Sequence, residues 1–504
     1  MKHVIIVGGG VAGLGAAYKV ARAASEGHDV SFTLLERDNR LGGKIATEHV
    51  PDEWDGSDGS YFIVDGGPDC FLTEKPGVHR IAKLTGIFDD ELPTDDSRKR
   101  TWILSRGRMH EMPDGVMMFA PTKFVPFATT GLFSWPGKLR MGMDMLIPRK
   151  ERWAEGETAE QHDETLKSFV TRRMGRECLD RLAEPLVGGV HASDPAQMSL
   201  AATFPRLLEM EQTYGSMIGG FVAARKKVAE MRKKYPPKPG AKPRTFFTSF
   251  TDGMQVLTET MANAAGRDSI RTGAVVQGIA RTDGGWVVSL ADGTSVEGDA
   301  VIIATESWAA EPLLREVDEG IADALAAIPS SSSATVSLGF REGDIGIDMN
   351  AFGVLCPLIE GRSLMAATYS STKWPGRAPE GKVLMRGFVG GPHNQAIMEK
   401  SDEELVQIVL AEMRDVLGVK GAPLFSRVFR WNGGMPQYTM GHLGRVATIE
   451  QRSEDIAGLA LAGGSYRGVG LPNCIESGER AVSKVLGEWN ISLAEDSVEE
   501  KRYY

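Results

Sequence analysis

The fold is decided by one stretch near the start of the chain, Val4-Ile5-Ile6-Val7-Gly8-Gly9-Gly10-Val11-Ala12-Gly13. An apolar run leads here into the spacing G-x-G-x-x-G, and an Ala-rich segment, residues 11–24, follows with helical character. In such a turn Gly8 permits the sharp bend, Gly10 lets a pyrophosphate approach the backbone, and Gly13 allows helix and strand to pack closely. The pattern predicts a strand, a glycine turn and a helix that together bind a dinucleotide.

A second β-rich run, residues 30–35, is followed at once by an acid, Glu36, and by Arg37. An acid at the end of this strand is placed to hydrogen-bond a ribose hydroxyl, which suits NAD and FAD and disfavours the 2′-phosphate of NADP. The diphosphate then lies at the helix N-terminus, whose free N–H groups and positive dipole end favour anions. The residues predicted to bind the dinucleotide are Gly8, Gly9, Gly10, Val11, Ala12, Gly13, Glu36 and Arg37.

Length and composition limit the class of protein. A chain of 504 residues exceeds what one hydrophobic core usually serves, so we expect two or three packed units with room for a large cofactor. The formal charge of -10 argues against a nucleic-acid-binding protein, because such proteins need a broad cationic face. The four cysteines include no C-x-x-C pair, so neither a disulfide framework nor a metal site is indicated, and a reducing compartment fits best.

No targeting or membrane-spanning segment is visible in the sequence. Met-Lys-His leads straight into the first strand, without the charged region, apolar region and cleavage site of an export signal. Nor is there a run of roughly 18 to 20 apolar residues, the length that spans a bilayer. We therefore expect a cytoplasmic protein, and peripheral contact with the inner face of the membrane stays open.

A second glycine turn favours FAD over NAD. Arg40-Leu41-Gly42-Gly43-Lys44 follows Glu36 closely, and Asp65-Gly66-Gly67-Pro68-Asp69 lies further on. The first of these resembles the second fingerprint of the flavin amine oxidase superfamily, in which the glycine turn and its basic residue help to hold the flavin and its pyrophosphate. The alternative is an ordinary Gly-Gly turn beside a solvent-facing Arg and Lys.

The end of the chain supplies independent support. Leu461-Ala462-Gly463-Gly464 ends a strand, and Gly468-Val469-Gly470-Leu471-Pro472 leads into a helix with proline near its first position. A helix N-terminus delivered here can place its positive end against the pyrimidine edge of the flavin, where charge accumulates on reduction. This arrangement favours hydride acceptance.

The chain alternates between nucleotide-binding segments and insertions. Residues 254–265 have helical character, and the chain ends in a predicted strand, 456–462, and a predicted helix, 472–486. We predict an α/β protein with a Rossmann-like FAD-binding domain assembled from discontiguous segments, a mixed-sheet substrate domain and a helical insertion. The predicted bounds are 1–75, 250–308 and 428–504 for the FAD-binding domain, 76–104, 205–249 and 309–427 for the substrate domain, and 105–204 for the helical insertion. The basic, Pro-containing segment 225–244 is interpreted as a solvated linker, with a membrane or partner patch as the alternative.

No general acid, general base or metal-ligand cluster is legible in the sequence. There is no H-E-x-x-H and no G-x-S-x-G, and the nine histidines are scattered, so we interpret them as surface or packing residues. Flavin chemistry asks little of acids and bases at the carbon that is oxidised. We therefore expect hydride to pass directly to the flavin, and we assign no catalytic side chain.

Taken together, the motifs resemble the porphyrinogen oxidases, the branch of the superfamily that aromatises a tetrapyrrole in haem synthesis. The resemblance runs nearly end to end, and its G-L-F-S and R-W-x-x-x-M-P-Q-Y blocks look most like the soluble bacterial type that acts on coproporphyrinogen III. It is carried by Gly67-Pro68-Asp69, Pro121-Thr122-Lys123, Thr130-Gly131-Leu132-Phe133-Ser134, Glu184 to Asp194, Thr203-Phe204-Pro205, Lys373-Trp374-Pro375, Arg430 to Tyr438 and Gly468 to Ile475.

The resemblance implies further binding residues. Lys75 and Val190 are expected to contact the substrate, and for Lys75 the contact is a propionate, with an exposed lysine as the alternative. Three features depart from the family. Asp65-Gly66-Gly67-Pro68 stands where Glu-Arg-Gly-Pro is frequent, His191 stands where an aromatic residue is common, and Arg467, beside the glycine-rich loop at residues 468–472, is unusual. How the substrate carboxylates are recognised therefore stays open. The residues expected to hold the flavin, besides the first glycine turn and Glu36, are Lys44, Gly67, Pro68, Asp69, Cys70, Val276, Trp431, Val469, Gly470 and Leu471.

The resemblance also implies an activity. It is the removal of six electrons from coproporphyrinogen III in three two-electron steps, with non-covalent FAD, oxygen as acceptor and three hydrogen peroxide released. A protoporphyrinogen IX oxidase of the same mechanism is the first alternative, and a flavin amine oxidase, a carotenoid desaturase and a non-catalytic flavin-binding protein are more distant ones. The expected partners are the tetrapyrrole and oxygen, without nucleic acid, and transient contact with the next haem-pathway enzyme stays open.

Overall fold

The computed structural model describes residues 1–54, 59–234 and 245–493 of the chain. The strands are β1 Lys2–Val7, β2 Val30–Leu35, β3 Thr47–Pro51, β4 Tyr61–Asp65, β5 Phe71–Leu72, β6 Glu91–Pro93, β7 Thr101–Ser105, β8 Arg108–Glu111, β9 Val116–Met117, β10 Ala120–Pro121, β11 Phe247–Phe250, β12 Ile270–Arg271, β13 Val276–Thr282, β14 Gly285–Leu290, β15 Ser295–Gly298, β16 Ala300–Ile303, β17 Ser330–Arg341, β18 Gly353–Leu355, β19 Ala366–Tyr369, β20 Lys382–Gly390, β21 Phe425–Pro436 and β22 Leu459–Leu461. The helices are α1 Val11–Ser25, α2 Pro76–Leu84, α3 Phe124–Thr129, α4 Trp135–Gly142, α5 Leu166–Arg173, α6 Arg176–Cys178, α7 Glu184–His191, α8 Leu200–Thr203, α9 Pro205–Tyr214, α10 Met217–Lys234, α11 Gln255–Ala265, α12 Ser307–Leu314, α13 Glu319–Ala326, α14 Ser370–Lys373, α15 Asp402–Leu417, α16 His442–Glu454 and α17 Leu471–Glu488.

A five-stranded parallel sheet carries the first glycine turn. Its strand order is β12-β2-β1-β16-β22. The apolar runs of β1 and β16 show no alternation, as expected of strands that are covered on both faces, whereas β2 alternates between buried and half-buried residues. Their carboxyl ends lie together, because Gly8 N–H donates to Leu35 O and Ala304 N–H donates to Val7 O, each at 2.8 Å. The glycine turn, the residue after β2 and the residue after β16 therefore share one edge of the sheet.

The C-terminal helix returns to this sheet and packs on the first helix. A side chain at Gly478 of α17 would lie 2.0 Å from the Ala12 carbonyl oxygen of α1, so the two helices touch through their backbones. The helices predicted at 11–24, 254–265 and 472–486 are found as α1, α11 and α17. The strand predicted at 456–462 is shorter, because Gly458 adopts a φ of +74° just before β22. The α/β class with a Rossmann-like unit is confirmed.

A seven-stranded mixed sheet forms the second unit. Its order is β21-β17-β20-β19-β18-β7-β8, and β7 with β18 is its parallel pair. The long central strands β17 and β20 pair antiparallel over nine residues, from Ser333 opposite Gly390 to Arg341 opposite Lys382. Helix α15 begins with a capping box between Ser401 and Glu404 and buries its apolar face on this sheet.

A helical unit shares one hydrophobic core between α3 and α10. Two predicted bounds need correction here. β7 and β8 extend the seven-stranded sheet to Glu111, so the helical unit begins after residue 111 rather than at 105. Helices α9 and α10 were expected in the substrate domain, but Leu207, Leu208 and Met217 pack into the core of the helical unit. The three-domain division otherwise stays a proposal.

Two further segments differ from the prediction. Most of helix α12 and all of α13 fall within 309–427, yet Leu314, Ile321 and Leu325 pack in one core with Ile5 and Val7 of the parallel sheet. Residues 225–234, expected as linker, continue helix α10, and the remaining linker residues, 235–244, lie outside the described part of the chain. Within the described ranges, no helix has the length and apolar character needed to cross a membrane.

Candidate functional site

The first glycine turn is closely packed except at one position. Gly8 has a φ of +109°, and a β-carbon there would lie 2.8 Å from Ala304 O. A β-carbon at Gly13 would lie 1.9 Å from Gly8 O, so α1 can approach β1 only with glycine at this position. At Gly10, by contrast, the nearest atom to a β-carbon is Gly43 Cα at 4.0 Å. Gly10 is the N-cap of α1, and the open space above it lies where a pyrophosphate would meet the helix N-terminus.

Glu36 lies beside this turn with both carboxylate oxygens engaged. Its Oε2 accepts from Gly9 N–H at 2.6 Å, and its Oε1 accepts from Asp38 N–H at 2.8 Å. Each oxygen retains a further lone pair, which is what a ribose hydroxyl requires. The Glu36 carbonyl accepts from Ala274 N–H at 2.8 Å, which brings Val276 at the start of β13 to the same end of the sheet.

Arg37 points away from the turn. Its side chain is largely exposed, forms an ion pair with Asp38 at 3.6 Å and lies 6.0 Å from the ring centroid of Trp308. The structure thus places Arg37 on the surface near the dinucleotide end and shows no contact of its side chain with the glycine turn.

The second glycine turn is held from inside by Arg40. Its guanidinium donates to Gly43 O at 2.5 Å and to Ile45 O at 2.9 Å, so this arginine is structural rather than solvent-facing. Gly42 N–H donates to Gly9 O at 2.9 Å, which joins the two glycine turns. The two fingerprints therefore form one continuous backbone surface.

Lys44 has an acidic partner that the sequence did not indicate. Its Nζ lies 2.5 Å from Glu306 Oε1, and both side chains are partly exposed. Glu306 follows β16 and is the N-cap of α12, at the same edge of the parallel sheet as Glu36. An acid soon after a buried strand was the sequence feature that could have identified it.

The turn at residues 66–70 is anchored by the seven-stranded sheet. A β-carbon at Gly67 would lie 1.8 Å from Lys44 O, so this turn presses directly on the second glycine turn. Trp431 Nε1–H of β21 donates to Gly66 O at 3.1 Å. Arg386 of β20 donates to Gly67 O at 2.8 Å. Strands of the second unit therefore hold the backbone of this turn, which the sequence resemblance implies is a flavin-binding segment.

The carboxylate of Asp69 binds the side chains that hold this turn on the seven-stranded sheet. Its Oδ2 lies 3.2 Å from Lys373 Nζ and 3.2 Å from Arg386 Nη2, and it accepts from Trp374 Nε1–H at 3.0 Å. Burial opposes ionisation of Asp69, but Lys373 and Arg386 outweigh it and hold its pKa far below the usual range. Burial and the Asp69 charge raise the pKa of Cys70 to about 12, so its thiol is protonated.

The C-terminal loop presents the N-terminus of α17. Gly468 adopts a φ of +107°, and Gly470 is the N-cap of the helix, so Val469, Gly470 and Leu471 line the approach to its free N–H groups. Cys474 lies one turn into the helix and is buried, and burial raises the pKa of its thiol to about 11.

The two predicted substrate residues lie in different surroundings. Lys75 is the N-cap of α2, and its Nζ donates to Asn473 Oδ1 at 2.6 Å, which places its charge beside the N-terminus of α17. Val190 lies in α7, and its side chain is outside the described part of the structure. Contact of either residue with substrate stays a prediction.

Two of the departures from the family pattern, His191 and Arg467, have physical partners. His191 packs edge-on against Phe204, with ring centroids 5.4 Å apart, and burial lowers its pKa to about 4, so it is neutral. Arg467 forms a two-pronged ion pair with Glu450 at 2.6 and 2.7 Å, which turns it away from the loop. A cavity of about 210 Å³ lies between the residues that follow α7, the start of β17 and the residues that follow β21, and its lining includes Asp194, Gln437 and Tyr438.

These features fit a flavin dinucleotide. An open space over a helix N-terminus suits a diphosphate, a buried carboxylate with free lone pairs suits a ribose, and a second helix N-terminus suits the electron-rich edge of the flavin ring. The residues present therefore fit the cofactor that the glycine fingerprints predict.

Comparison with known proteins agrees with this geometry. The model of the family described as flavin containing amine oxidoreductase matches residues 11–486, nearly the whole chain. The chain belongs to this family. FAD is therefore its cofactor, and the chain is an oxidoreductase.

Relatives that match nearly the whole chain are named as porphyrinogen oxidases. The chain is 33% identical to coproporphyrinogen III oxidase of Bacillus subtilis over 96% of its own length and 98% of the relative. It is 29% identical to the chloroplastic protoporphyrinogen oxidase of Nicotiana tabacum over 96% of its own length and 85% of the relative. A crystal structure named as a protoporphyrinogen oxidase of Exiguobacterium sp. 255-15 has a TM-score of 0.81 and 29% identity, and the match covers 97% of this chain and 99% of that one.

Four residues of the site had no role assigned from sequence. Lys373 and Tyr438 stood within blocks that carry the family resemblance, but the sequence gave no partner for either. Arg386 lies in a β-rich run, and no neighbouring residue indicates that its side chain contacts the turn at residues 66–70. Glu306 follows another β-rich run, and its position after that run is the local feature that could have identified it. Lys373 and Arg386 contact residues 304 and 319 positions away along the chain, whereas the hydroxyl of Tyr438 contacts residues 26 and 30 positions away.

Proposed function

We propose that this chain oxidises coproporphyrinogen III to coproporphyrin III with molecular oxygen in haem biosynthesis. The observation that carries the proposal is full-length similarity to three bacterial proteins named coproporphyrinogen III oxidase, from 30 to 33% identical and matched over 96 to 97% of this chain. The site supports the proposal, because the residues that fit FAD lie beside the mixed sheet and the helical unit. These two units can together enclose a large planar ligand.

The overall reaction balances with oxygen alone. Coproporphyrinogen III loses six hydrogen atoms, as six electrons and six protons, and three oxygen molecules take them up as three hydrogen peroxide. FAD, when bound, supplies the two-electron chemistry between the porphyrinogen and oxygen. The protein binds the macrocycle, orients its reacting carbon and excludes water, and no side chain of the site is assigned to proton transfer.

The residues proposed to hold FAD lie in the first glycine turn, the second glycine turn and the turn at residues 66–70, together with Glu36 and the N-terminus of α17. Glu36 would accept from the ribose, and the turn at Gly10 would receive the pyrophosphate. Lys44, with Glu306 beside it, would lie next to the flavin, and the N-terminus of α17 would face its pyrimidine edge. Lys75 adds a second cation close to that helix and is proposed to meet a substrate propionate.

Anaerobic mixing tests the reaction class. Coproporphyrinogen III should bleach the flavin absorption, and admission of air should restore the colour and release three hydrogen peroxide for each porphyrin formed. A flavin-binding protein without oxidase activity would show no substrate-dependent bleaching. Bleaching by amines but not by porphyrinogens would move the chain to the amine oxidases.

Protoporphyrinogen IX oxidation is the second candidate. It is favoured by the similarity to chloroplastic enzymes with that name and by the Exiguobacterium structure. The two activities share the cofactor and the mechanism, and they differ in the number of carboxylates that the site must receive.

We also propose peripheral contact with an anionic membrane through the helical unit. Seven large apolar side chains are exposed within residues 124–146, and the most exposed is Leu146 at 81%. They are Phe124, Val125, Trp135, Leu139, Met143, Met145 and Leu146. Residues 123–150 include five basic side chains, and their one acid, Asp144, is fully buried against Arg173. Lys138 is buried and Lys123 pairs with Asp114, so Arg140, Arg149 and Lys150 are the basic side chains left beside the apolar ones. An exposed apolar face flanked by basic side chains matches an anionic lipid surface.

Sedimentation with phosphatidylglycerol vesicles tests this contact. The double variant Trp135→Ser, Leu139→Ser should lose vesicle binding, and binding of the unmodified protein should weaken with added salt. Leu358→Ser, Ile359→Ser is the control, since these two apolar side chains are also exposed but lie outside this segment. Equal binding by both double variants would contradict the assignment. A cytoplasmic location and contact with the next haem-pathway enzyme stay predictions.

A further inference from the structure

One tyrosine hydroxyl closes the loop that precedes α17. Tyr438 Oη–H donates to Gly464 O at 2.6 Å, and Tyr438 Oη accepts from Gly468 N–H at 2.7 Å. The hydroxyl thus joins the first and last residues of a five-residue segment that ends two residues before the helix N-cap, Gly470. Gly468 has a φ of +107°, so this bond holds the loop at its sharpest bend.

Tyr438 is itself fixed from several sides. Its ring stacks on His442, with centroids 3.9 Å apart and planes 15° from parallel. His442 is fully buried, and its Nε2–H donates to Tyr466 O at 2.7 Å, so the stacked ring is tied to the same loop. The Tyr438 carbonyl accepts from Ser199 N–H of the helical unit at 2.8 Å. Through its ring, its hydroxyl and its backbone, Tyr438 therefore connects the helical unit to the loop at residues 464–468.

The hydroxyl is suited to this role because it keeps its proton. Burial raises the pKa of Tyr438 well above its usual range, and the hydrogen bond from Gly468 opposes this only in part. A neutral phenol can donate one bond and accept another at once, which a phenylalanine or a phenolate cannot do.

We propose that Tyr438 is a positioning residue that sets the reduction potential of the flavin by holding the N-terminus of α17 against its pyrimidine edge. The inference rests on the proposed placement of that edge beside Val469 to Leu471. A helix N-terminus stabilises negative charge within about one turn of its end, so a displaced loop reduces the stabilisation of the reduced flavin.

A tyrosine on the same loop provides a matched control. Tyr466 is buried like Tyr438, but its hydroxyl has no hydrogen-bond partner among the described residues, and it packs with the core of the parallel sheet. Tyr438→Phe and Tyr466→Phe therefore remove the same atom from neighbouring buried sites, and only the first removal opens the loop.

The experiment is light-driven reduction of the FAD-loaded protein in the presence of a reference dye, which gives the midpoint potential without any substrate. We expect a more negative potential in Tyr438→Phe, an unchanged potential in Tyr466→Phe, and similar thermal midpoints for both. The rate of flavin reduction by coproporphyrinogen III should fall about fivefold to tenfold in Tyr438→Phe alone.

Two outcomes would overturn the proposal. One is an unchanged potential in Tyr438→Phe, and the other is an equal shift in both variants. Because photoreduction needs no porphyrinogen, either result would leave the proposed substrate and reaction untouched. Failure of the proposed function would instead appear as absent bleaching by porphyrinogen in the unmodified protein.

Discussion

Asp69 Oδ2 lies 3.2 Å from Lys373 Nζ, and this contact joins residues 304 positions apart in sequence. Asp69 belongs to the turn that presses on the second glycine fingerprint, and Lys373 ends a helix that precedes the long strand β20. The contact ties the cofactor turn to the seven-stranded sheet. Arg386 and Trp374 add a second cation and a hydrogen-bond donor to the same carboxylate, so the arrangement is a buried network rather than a single pair.

Removal of the Asp69 charge should therefore destabilise the fold. Asp69→Asn retains the shape but leaves Lys373 and Arg386 buried without their counter-ion, which we expect to cost about 3 kcal/mol of unfolding free energy. Asp114→Asn removes the carboxylate of an exposed pair with Lys123 and should cost less than about 1 kcal/mol. Urea unfolding of both apoproteins measures the difference. Similar midpoints for the two variants would contradict a central role for Asp69.

Two glycines of the first fingerprint should respond differently to substitution. Gly10→Val should abolish FAD binding and leave the apoprotein folded, because the space above Gly10 is open in the protein. Gly13→Ala should impair folding itself, because its β-carbon would lie 1.9 Å from Gly8 O. Flavin content and the thermal midpoint of the apoprotein separate the two effects. A yellow, fully loaded Gly10→Val protein would remove the pyrophosphate from this turn.

Local motifs made the nucleotide-binding unit predictable. β1, the glycine turn and α1 follow one another within 24 residues, and each step is set by a local property, namely apolar runs, glycine spacing and Ala-rich periodicity. The same holds for α17, where proline follows a glycine-rich loop. Each of these elements is marked by residues that are close together in sequence, so short patterns suffice to identify it.

The contacts that assemble the site could not be predicted from local motifs. Lys373 and Arg386 contact the turn at residues 66–70 from 304 and 319 positions away, and neither spacing nor periodicity encodes such contacts. The bounds of the helical unit were missed for a related reason, because α9 and α10 have apolar faces that would pack equally well on a sheet or on other helices. Only the shared core with α5 decides between these partners.

FAD should be released intact when the protein is denatured. Cys474 is the cysteine nearest the flavin loop, but its thiol is buried with a pKa raised to about 11, so little thiolate exists to form a covalent bond near neutral pH. Acid precipitation should leave the yellow colour in the supernatant. Colour that stays in the pellet of the unmodified protein but not of Cys474→Ser would show a covalent link.

Glu184 should make stability depend on pH. Burial raises its pKa to about 7 from a usual value near 4.5, with Asp180 and Asp194 nearby, so the folded protein holds this proton more tightly than the unfolded chain. Its contribution is fully present below pH 4.5 and is lost as the pH rises through about 7. Glu184→Gln retains an acceptor for Leu358 N–H and cannot titrate.

The difference in thermal midpoint between Glu184→Gln and the unmodified protein should therefore grow in favour of the variant from pH 5 to pH 8. The same substitution at the exposed Glu316 should give a difference that does not change with pH. A pH-independent difference for Glu184→Gln would show that this carboxyl titrates alike in both states.

The relative rate with two porphyrinogens tests the central claim most directly. Coproporphyrinogen III carries four propionates and protoporphyrinogen IX carries two, with vinyl groups in place of the others, and a site built for four carboxylates leaves polar groups unmatched when vinyl groups enter. We predict a kcat/KM about tenfold to a hundredfold higher for coproporphyrinogen III, and Lys75→Ala should narrow that ratio if Lys75 meets one of the additional propionates. An equal or reversed preference in the unmodified protein would contradict the coproporphyrinogen assignment.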